Sequence, residues 1–162
     1  GARFQTGDAC RLSFDDGVFD LYTSFETIEH VAEPAVLVSE ARRVLDHGGI
    51  FLCTTPNRDV TNPGTTLDHQ PYNRFHLREY TAGELHAVLT KSFQNVTLFG
   101  QTFYPRWYTR QLGAVARSAG RFAVRVHQVR KVLTIPFDHA RRHVPQPWPE
   151  GYEPEVLVAV CS

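Results

Sequence analysis

The stretch SFETIEHVAEP, Ser24–Pro34, places two carboxylates and an imidazole close together: Glu26, Glu29 and His30. If the run is helical, residues at i, i+3 and i+4 share one face. Three chemistries suit such a face. His30 could act as a general base, because an unperturbed imidazole titrates at ~6.5 and can take a proton from a hydroxyl. Glu26, Glu29 and His30 could hold a divalent cation. Two carboxylates suit Mg²⁺ and the imidazole admits Mn²⁺. Such an ion would lower the pKa of a bound hydroxyl. Alternatively, acids in a first helical turn simply complement the helix dipole. The zinc-protease orders HExxH and HxxEH do not fit, since Glu26 stands where a histidine is required.

The flanking pattern predicts the elements that position these groups. FDLYTSF (Phe19–Phe25) is rich in aromatic and β-favouring residues and reads as a buried strand. Glu33 precedes Pro34 at a first helical position, and Leu37, Ala41, Val44 and Leu45 recur at helical spacing. DHGG closes that helix with a glycine cap. GIFLCTT is a second buried strand, ended by Pro56. Residues 57–80 read as a long polar loop, with Arg78 and Glu79 as an anchoring pair or, alternatively, Arg78 as the grip for an anionic acceptor group. Thr81 and Glu84 then spell a capping box. NVTLFGQTF and EVLVAV are further strands. Between them, apolar residues at 112, 115, 119, 122, 126, 129 and 133 predict a long amphipathic helix, with Arg110, Arg117, Arg121 and Arg125 opposite. Strand–helix–strand alternation predicts an α/β fold with a parallel sheet. Ligands of such sheets bind beyond the carboxyl ends of the strands. Residues 24–30 and 54–57 occupy two such ends and should lie side by side.

The composition is that of a single soluble domain, 42% hydrophobic and 21% charged over 162 residues. No apolar run reaches the ~20 residues of a membrane span. The three cysteines form no CxxC pair, so neither a disulfide framework nor a structural zinc site is expected, and a cytoplasmic setting fits. Net formal charge is zero but segregated: residues 1–35 carry seven acids, and residues 105–149 carry nine bases against Asp138 alone. The basic helix at 110–131 suggests peripheral contact with a membrane surface or with a polyanion, or else a helix whose apolar stripe packs on the sheet while its arginines face water. The sequence begins at Gly1 and contains no methionine, which points to a processed product or a piece of a longer chain.

The run GDACRLSFDDGVFDLYTSFETIEHVAEPAVLVSEARRVLDHGGIFLCTTPN, with FHLREYTAGEL after it, resembles the second half of class I S-adenosylmethionine-dependent methyltransferases. The resemblance covers residues 5–101. It implies a Rossmann-like fold lacking the first strands of its parallel sheet, because the Gly-rich loop and the acidic residue that grips the ribose belong upstream of the GDA element. By this resemblance residues 1–162 form a partial methyltransferase domain: core elements over 1–101, a helical insertion or cap over 102–150, and a closing strand over 151–162. Asp8 and Ala9 match the pair that meets the adenine. Ser24, Phe25 and Glu26 match the strand end lining the methionine part of the cofactor, and His30 lies where methyl group and acceptor would meet. The implied function is O-methylation of a glycan, a lipid-linked sugar or a small metabolite, with no nucleic-acid partner expected. E-x-x-E-H further resembles the divalent-metal site of the small-RNA 2′-O-methyltransferases and the ubiquinone-pathway O-methyltransferases. A metal set of Glu26, Glu29, His30 and a downstream His76 or His69 follows from that likeness, with Mg²⁺ or Mn²⁺ as the ion. A truncated, non-catalytic binding module is the remaining alternative. Trp107, Tyr104 and Tyr108 are candidates to line an acceptor pocket or to pack in the core.

Overall fold

The computed structural model describes residues 1–119 and 145–162. Four strands form one sheet in the order β1–β2–β4–β3. The parallel pair β1 (Phe19–Phe25) and β2 (Leu45–Pro56) is joined by α1 (Pro34–Val44). After β2 come α2 (Arg58–Thr61) and α3 (Ala82–Leu89). The chain closes on an antiparallel pair, β3 (Val96–Pro105) and β4 (Tyr152–Cys161), with β4 lying antiparallel to β2. α4 (Arg106–Ala119) follows β3 directly.

The core lies between one face of the sheet and the helices α1 and α3. Phe51, Cys53 and Thr55 alternate inward along β2, as period-two geometry requires, and Leu157, Ala159 and Cys161 do the same along β4. They meet Leu37, Val38 and Ala41 of α1 and Leu85 and Leu89 of α3, all without exposed surface. Burying each of the Leu, Val and Phe side chains among them stabilises the fold by roughly 1.5–3 kcal/mol before entropy is counted. Tyr22, Phe51 and Phe93 stack in sequence, each ring pair 5.5 Å apart, and tie β1 to β2 and to the segment after α3.

Local chemistry sets the helix starts where expected. Pro34 opens α1, its fixed φ already helical and its missing N–H harmless there. Both halves of the Thr81/Glu84 capping box are formed at α3. Other expectations need correction. The helix before DHGG ends at Val44 without a glycine cap: Leu45 is already extended, and Gly48 and Gly49 belong to β2. The register slips there, Phe19 facing Leu45 while Leu21 faces Ile50. A Cβ on Gly49 would lie 3.0 Å from the Leu45 side chain and from the Phe19 carbonyl, so the glycine serves close approach in a bulge. FDLYTSF is a strand, but an edge strand. Only Ser24 is buried, while Leu21 and Phe25 are more than half exposed. The polar loop after Pro56 contains α2. α4 begins six residues before Leu112, and β3 runs on to Pro105 inside the span assigned to the insertion. Positions 122, 126, 129 and 133 of the expected helix, with Arg121 and Arg125 and most of the basic stretch, lie outside the described residues. Among the described residues, no helix is long and apolar enough to cross a membrane.

Candidate active site

The carboxyl ends of β1 and β2 are neighbours. Ser24 pairs with Cys53 and Phe25 with Thr54, and the Glu26 N–H donates to the Thr54 carbonyl at 3.1 Å. Glu26 sits at φ 48°, a left-handed conformation that costs a non-glycine residue ~1 kcal/mol or more. The kink turns its carboxylate back over β2, where it accepts from Thr54 Oγ1 at 2.9 Å. Burial pushes the Glu26 carboxyl above the usual range, and the Thr54 hydrogen bond offsets part of that.

The kink also separates Glu26 from Glu29 and His30. Glu29 and His30 lie on a short 3-10 turn, Ile28–His30, whereas Glu26 is outside it at the strand end. Glu29 is fully buried. Its Oε2 accepts from Thr55 Oγ1 at 2.9 Å, and its Oε1 is buried with no hydrogen-bond partner. That orphan oxygen lies 3.9 Å from His30 Nε2. His30 Nδ1 lies 2.8 Å from the Phe75 carbonyl, which can only accept. Nδ1 therefore carries the proton and Nε2 presents a free lone pair. The ring of His76 meets His30 edge-on, 4.8 Å between centroids. His76 Nδ1 donates to Glu79 Oε1 at 2.6 Å, which leaves Nε2 to accept from Asn73 Nδ2 at 2.8 Å.

One carboxylate and two imidazoles thus converge, with ligand atoms of Glu29, His30 and His76 within 4.8 Å of one another. Glu26 and His69 are not in this group. A set with two nitrogens and one oxygen suits Mn²⁺ or another first-row divalent ion better than Mg²⁺, which favours oxygen donors. Ligation by His76 Nε2 would displace the Asn73 amide. Cysteine chemistry is disfavoured nearby: burial pushes the thiols of Cys53 and Cys161 up, the latter to about 12.

The remaining sequence candidates divide. Asp8 is exposed on a turn whose Cys10 amide donates to Asp8 Oδ1 at 2.9 Å. Ala9 and Cys10 pack against the core, and the Cys10 thiol points at the Glu33 carbonyl, 3.8 Å away, at the start of α1. The turn that carries Asp8 and Ala9 therefore docks, through Cys10, beside the start of α1. Ser24 faces the interior and is 5% exposed, so surface on that wall falls to Phe25 and Glu26. Tyr104 is buried against Tyr108, while Trp107 is largely exposed.

Sequence reasoning did not foresee the buried polar knot behind His30. Glu79 accepts from Asn62 Nδ2 at 2.6 Å, from Thr61 Oγ1 and from His76. Arg78 instead donates to the Ala32 carbonyl, so the two anchor the loop through separate partners. The Leu77 N–H donates to the Glu29 carbonyl at 2.8 Å. Asn57 is fully buried, capping α2 through Asp59 N and donating to the Pro154 carbonyl at 2.8 Å. The signal available in the sequence was Asn57 itself, a good N-cap after a strand. Partners many residues apart leave no local trace.

Comparison with known proteins bears on this site. Residues 1–53 match the profile of a family described as methyltransferase domain. A "Probable S-adenosylmethionine-dependent methyltransferase" of Mycolicibacterium smegmatis is 42% identical over 83 residues, 51% of this chain and 31% of that protein. The mitochondrial 2-methoxy-6-polyprenyl-1,4-benzoquinol methylase of Homo sapiens is 43% identical over 63 residues, 39% of this chain and 19% of its own length. The crystal structure of a SAM-dependent methyltransferase from Thermotoga maritima superimposes with a TM-score of 0.61 at 15% identity, over 96% of this chain and 61% of that one; at this identity the likeness concerns the fold. The chain spans about a third or less of the length of these curated relatives. Residues 1–53 are thus similar to the methyltransferase domain family, and the Rossmann-like α/β fold is the one found in class I S-adenosylmethionine-dependent methyltransferases.

Proposed function

We propose that this chain supplies one wall of a pocket in which a methyl group passes to an acceptor hydroxyl, with His30 as the base. The observation that carries the reading is the free Nε2 of His30 at the carboxyl end of β1, with Nδ1 fixed by the Phe75 carbonyl. S-adenosylmethionine, when bound, supplies an electrophilic methyl group on a sulfonium. Asp8 would meet its adenine: one carboxylate oxygen is held by Cys10 N, and the other has no partner among the described residues. Phe25 and Glu26 would line the methionine end. His30 Nε2 takes the acceptor proton as the new carbon–oxygen bond forms, and Glu29 Oε1 at 3.9 Å stabilises the resulting imidazolium. The acceptor class we favour is a glycan, a lipid-linked sugar or a small metabolite. The likeness to a benzoquinol methylase keeps a phenolic ring in view, and the same base would serve it.

The direct test is methyl transfer from labelled S-adenosylmethionine by the full-length protein. His30→Ala should lower kcat by roughly 10²–10⁴ while leaving cofactor affinity within twofold. An unchanged kcat removes His30 from the chemistry. The orphan Glu29 Oε1 favours a second reading, in which Glu29, His30 and His76 hold a divalent ion that activates the hydroxyl. Activity lost to a chelator and restored by Mn²⁺ would support it; activity indifferent to chelator would remove it.

A further inference from the structure

Away from His30, the same edge of the sheet carries a second concave feature. Asp59 on α2, Arg106 at the start of α4 and Glu153 at the start of β4 together line two adjoining depressions. The larger has a volume of about 640 Å³, within the range of small-molecule sites, and is closed by Gly64, Thr109 and Arg110. Trp148 and Glu150 line the other.

The side chains here are held but not used up. Arg106 is fixed by its Nε, which donates to Glu153 Oε1 at 2.6 Å, and by its backbone N–H on the Gly151 carbonyl. Its terminal nitrogens have no hydrogen bond among the described residues. Arg110 lies one helical turn further on the same face and has neither ion pair nor hydrogen bond among the described residues. Asp59 likewise receives no hydrogen bond on its carboxylate, although burial raises its pKa against the offsetting charge of Arg58. Two guanidinium donors and one open carboxylate acceptor therefore face a single cleft. A hydrocarbon occupant would leave all of them desolvated and unpaired. An oxyanion matches the forked guanidinium donors, and hydroxyl groups match Asp59.

We propose that this cleft binds the polar end of the methyl acceptor, and that this end is a sugar-like polyol carrying one phosphate or carboxylate. The word acceptor rests on the methyl-transfer reading above; the ligand class rests on the cleft alone.

Titrations of the intact chain, followed by backbone amide shifts, test it with four probes: glucose 6-phosphate, glucuronate, glucose and inorganic phosphate. The expected result is saturable binding of at least one anionic sugar with a Kd in the millimolar range, with shifts centred on residues 59, 106, 110 and 153. Glucose and phosphate alone should bind at least tenfold more weakly. The two anionic sugars distinguish a phosphate from a carboxylate. Arg110→Gln should weaken the preferred sugar at least tenfold with an unchanged melting temperature. Asp59→Asn should weaken that sugar but not inorganic phosphate. Absence of saturation by both anionic sugars, glucose binding as tightly as its phosphate, or indifference to Arg110→Gln overturns the proposal. S-adenosylhomocysteine titrated separately scores the methyl-transfer reading: cleft binding without cofactor binding by the full-length protein sinks that reading alone, and the converse sinks this one.

Discussion

Two polar regions share the carboxyl edge of the sheet and are built in opposite ways. Around Glu29 and Glu79 the carboxylates are buried, and most of their oxygens accept from Thr55, Asn62, Thr61 or His76. Around Asp59 and Glu153 the arrangement is looser: the Asp59 carboxylate is exposed, and Glu153, 14% exposed, is paired with Arg106, whose own side chain is half exposed. A buried acid is costly wherever a lone pair goes unmet, because that oxygen keeps its full desolvation penalty; Glu29 Oε1 is the one carboxylate oxygen of Glu29 and Glu79 in that position. A half-exposed acid has water as an alternative partner and can wait for a ligand. The first region holds the backbone of residues 57–80 against the turn that carries His30. The second ties α4 to β4 through the part-exposed Arg106–Glu153 pair, of a kind worth ~1 kcal/mol or less, and leaves the Asp59 carboxylate and the Arg110 side chain without hydrogen bonds among the described residues.

The sharpest way to break this contrast is Glu79→Ala. It removes the acceptor of three side chains at once and leaves Asn62 Nδ2 buried without a partner. A loss of about 3 kcal/mol in denaturant unfolding is expected. A loss below about 1 kcal/mol would show that the knot is not what holds this loop. Second in size, Thr55→Val keeps the shape of β2 but takes the hydroxyl from Glu29 Oε2, leaving a buried carboxylate with neither oxygen hydrogen-bonded. A loss of about 1–3 kcal/mol is expected. Because the knot supports His30 through the Leu77 and Phe75 contacts, both variants should also lower transfer activity in the full-length protein.

The same contrast explains what could be read in advance. The strand and helix starts were legible because their causes are local: Pro34 before a periodic run, the Thr81/Glu84 box, β-branched and aromatic residues in FDLYTSF and EVLVAV. Adjacency of residues 24–30 and 54–57 was legible from the strand–helix–strand order, because parallel strands present their carboxyl ends on one side of the sheet. The grouping of Glu26 with Glu29 and His30 failed because helical spacing was assumed across a kink at φ 48°. The glycine cap failed because a register slip with Phe19 needed the same glycine. Both errors have one source: the pairing of a distant strand overruled a local pattern. His76, by contrast, was nominated from the family likeness and does lie against His30, but its Glu79 and Asn73 partners left no spacing signal.

The smallest expected effect sharpens the open side of the comparison. Burial holds the Asp59 carboxyl above its ordinary value, with Arg58 and, more weakly, Arg106 pulling it down and Glu84 pushing it up. A raised folded-state pKa means that the folded chain binds more protons than the unfolded one between the ordinary and the raised value. Stability therefore falls as pH rises through that window and stays reduced above it. Asp59→Asn removes the ionisation and has no carboxylate hydrogen bond to lose among the described residues. The variant should melt slightly higher than the parent at pH 7. That difference should shrink to nothing as pH falls below the usual aspartate range, where both side chains are neutral. Parallel melting curves across pH 3–7, or a lower melting temperature for the variant at pH 7, would mean that Asp59 is paired rather than waiting, and the two regions would then be alike.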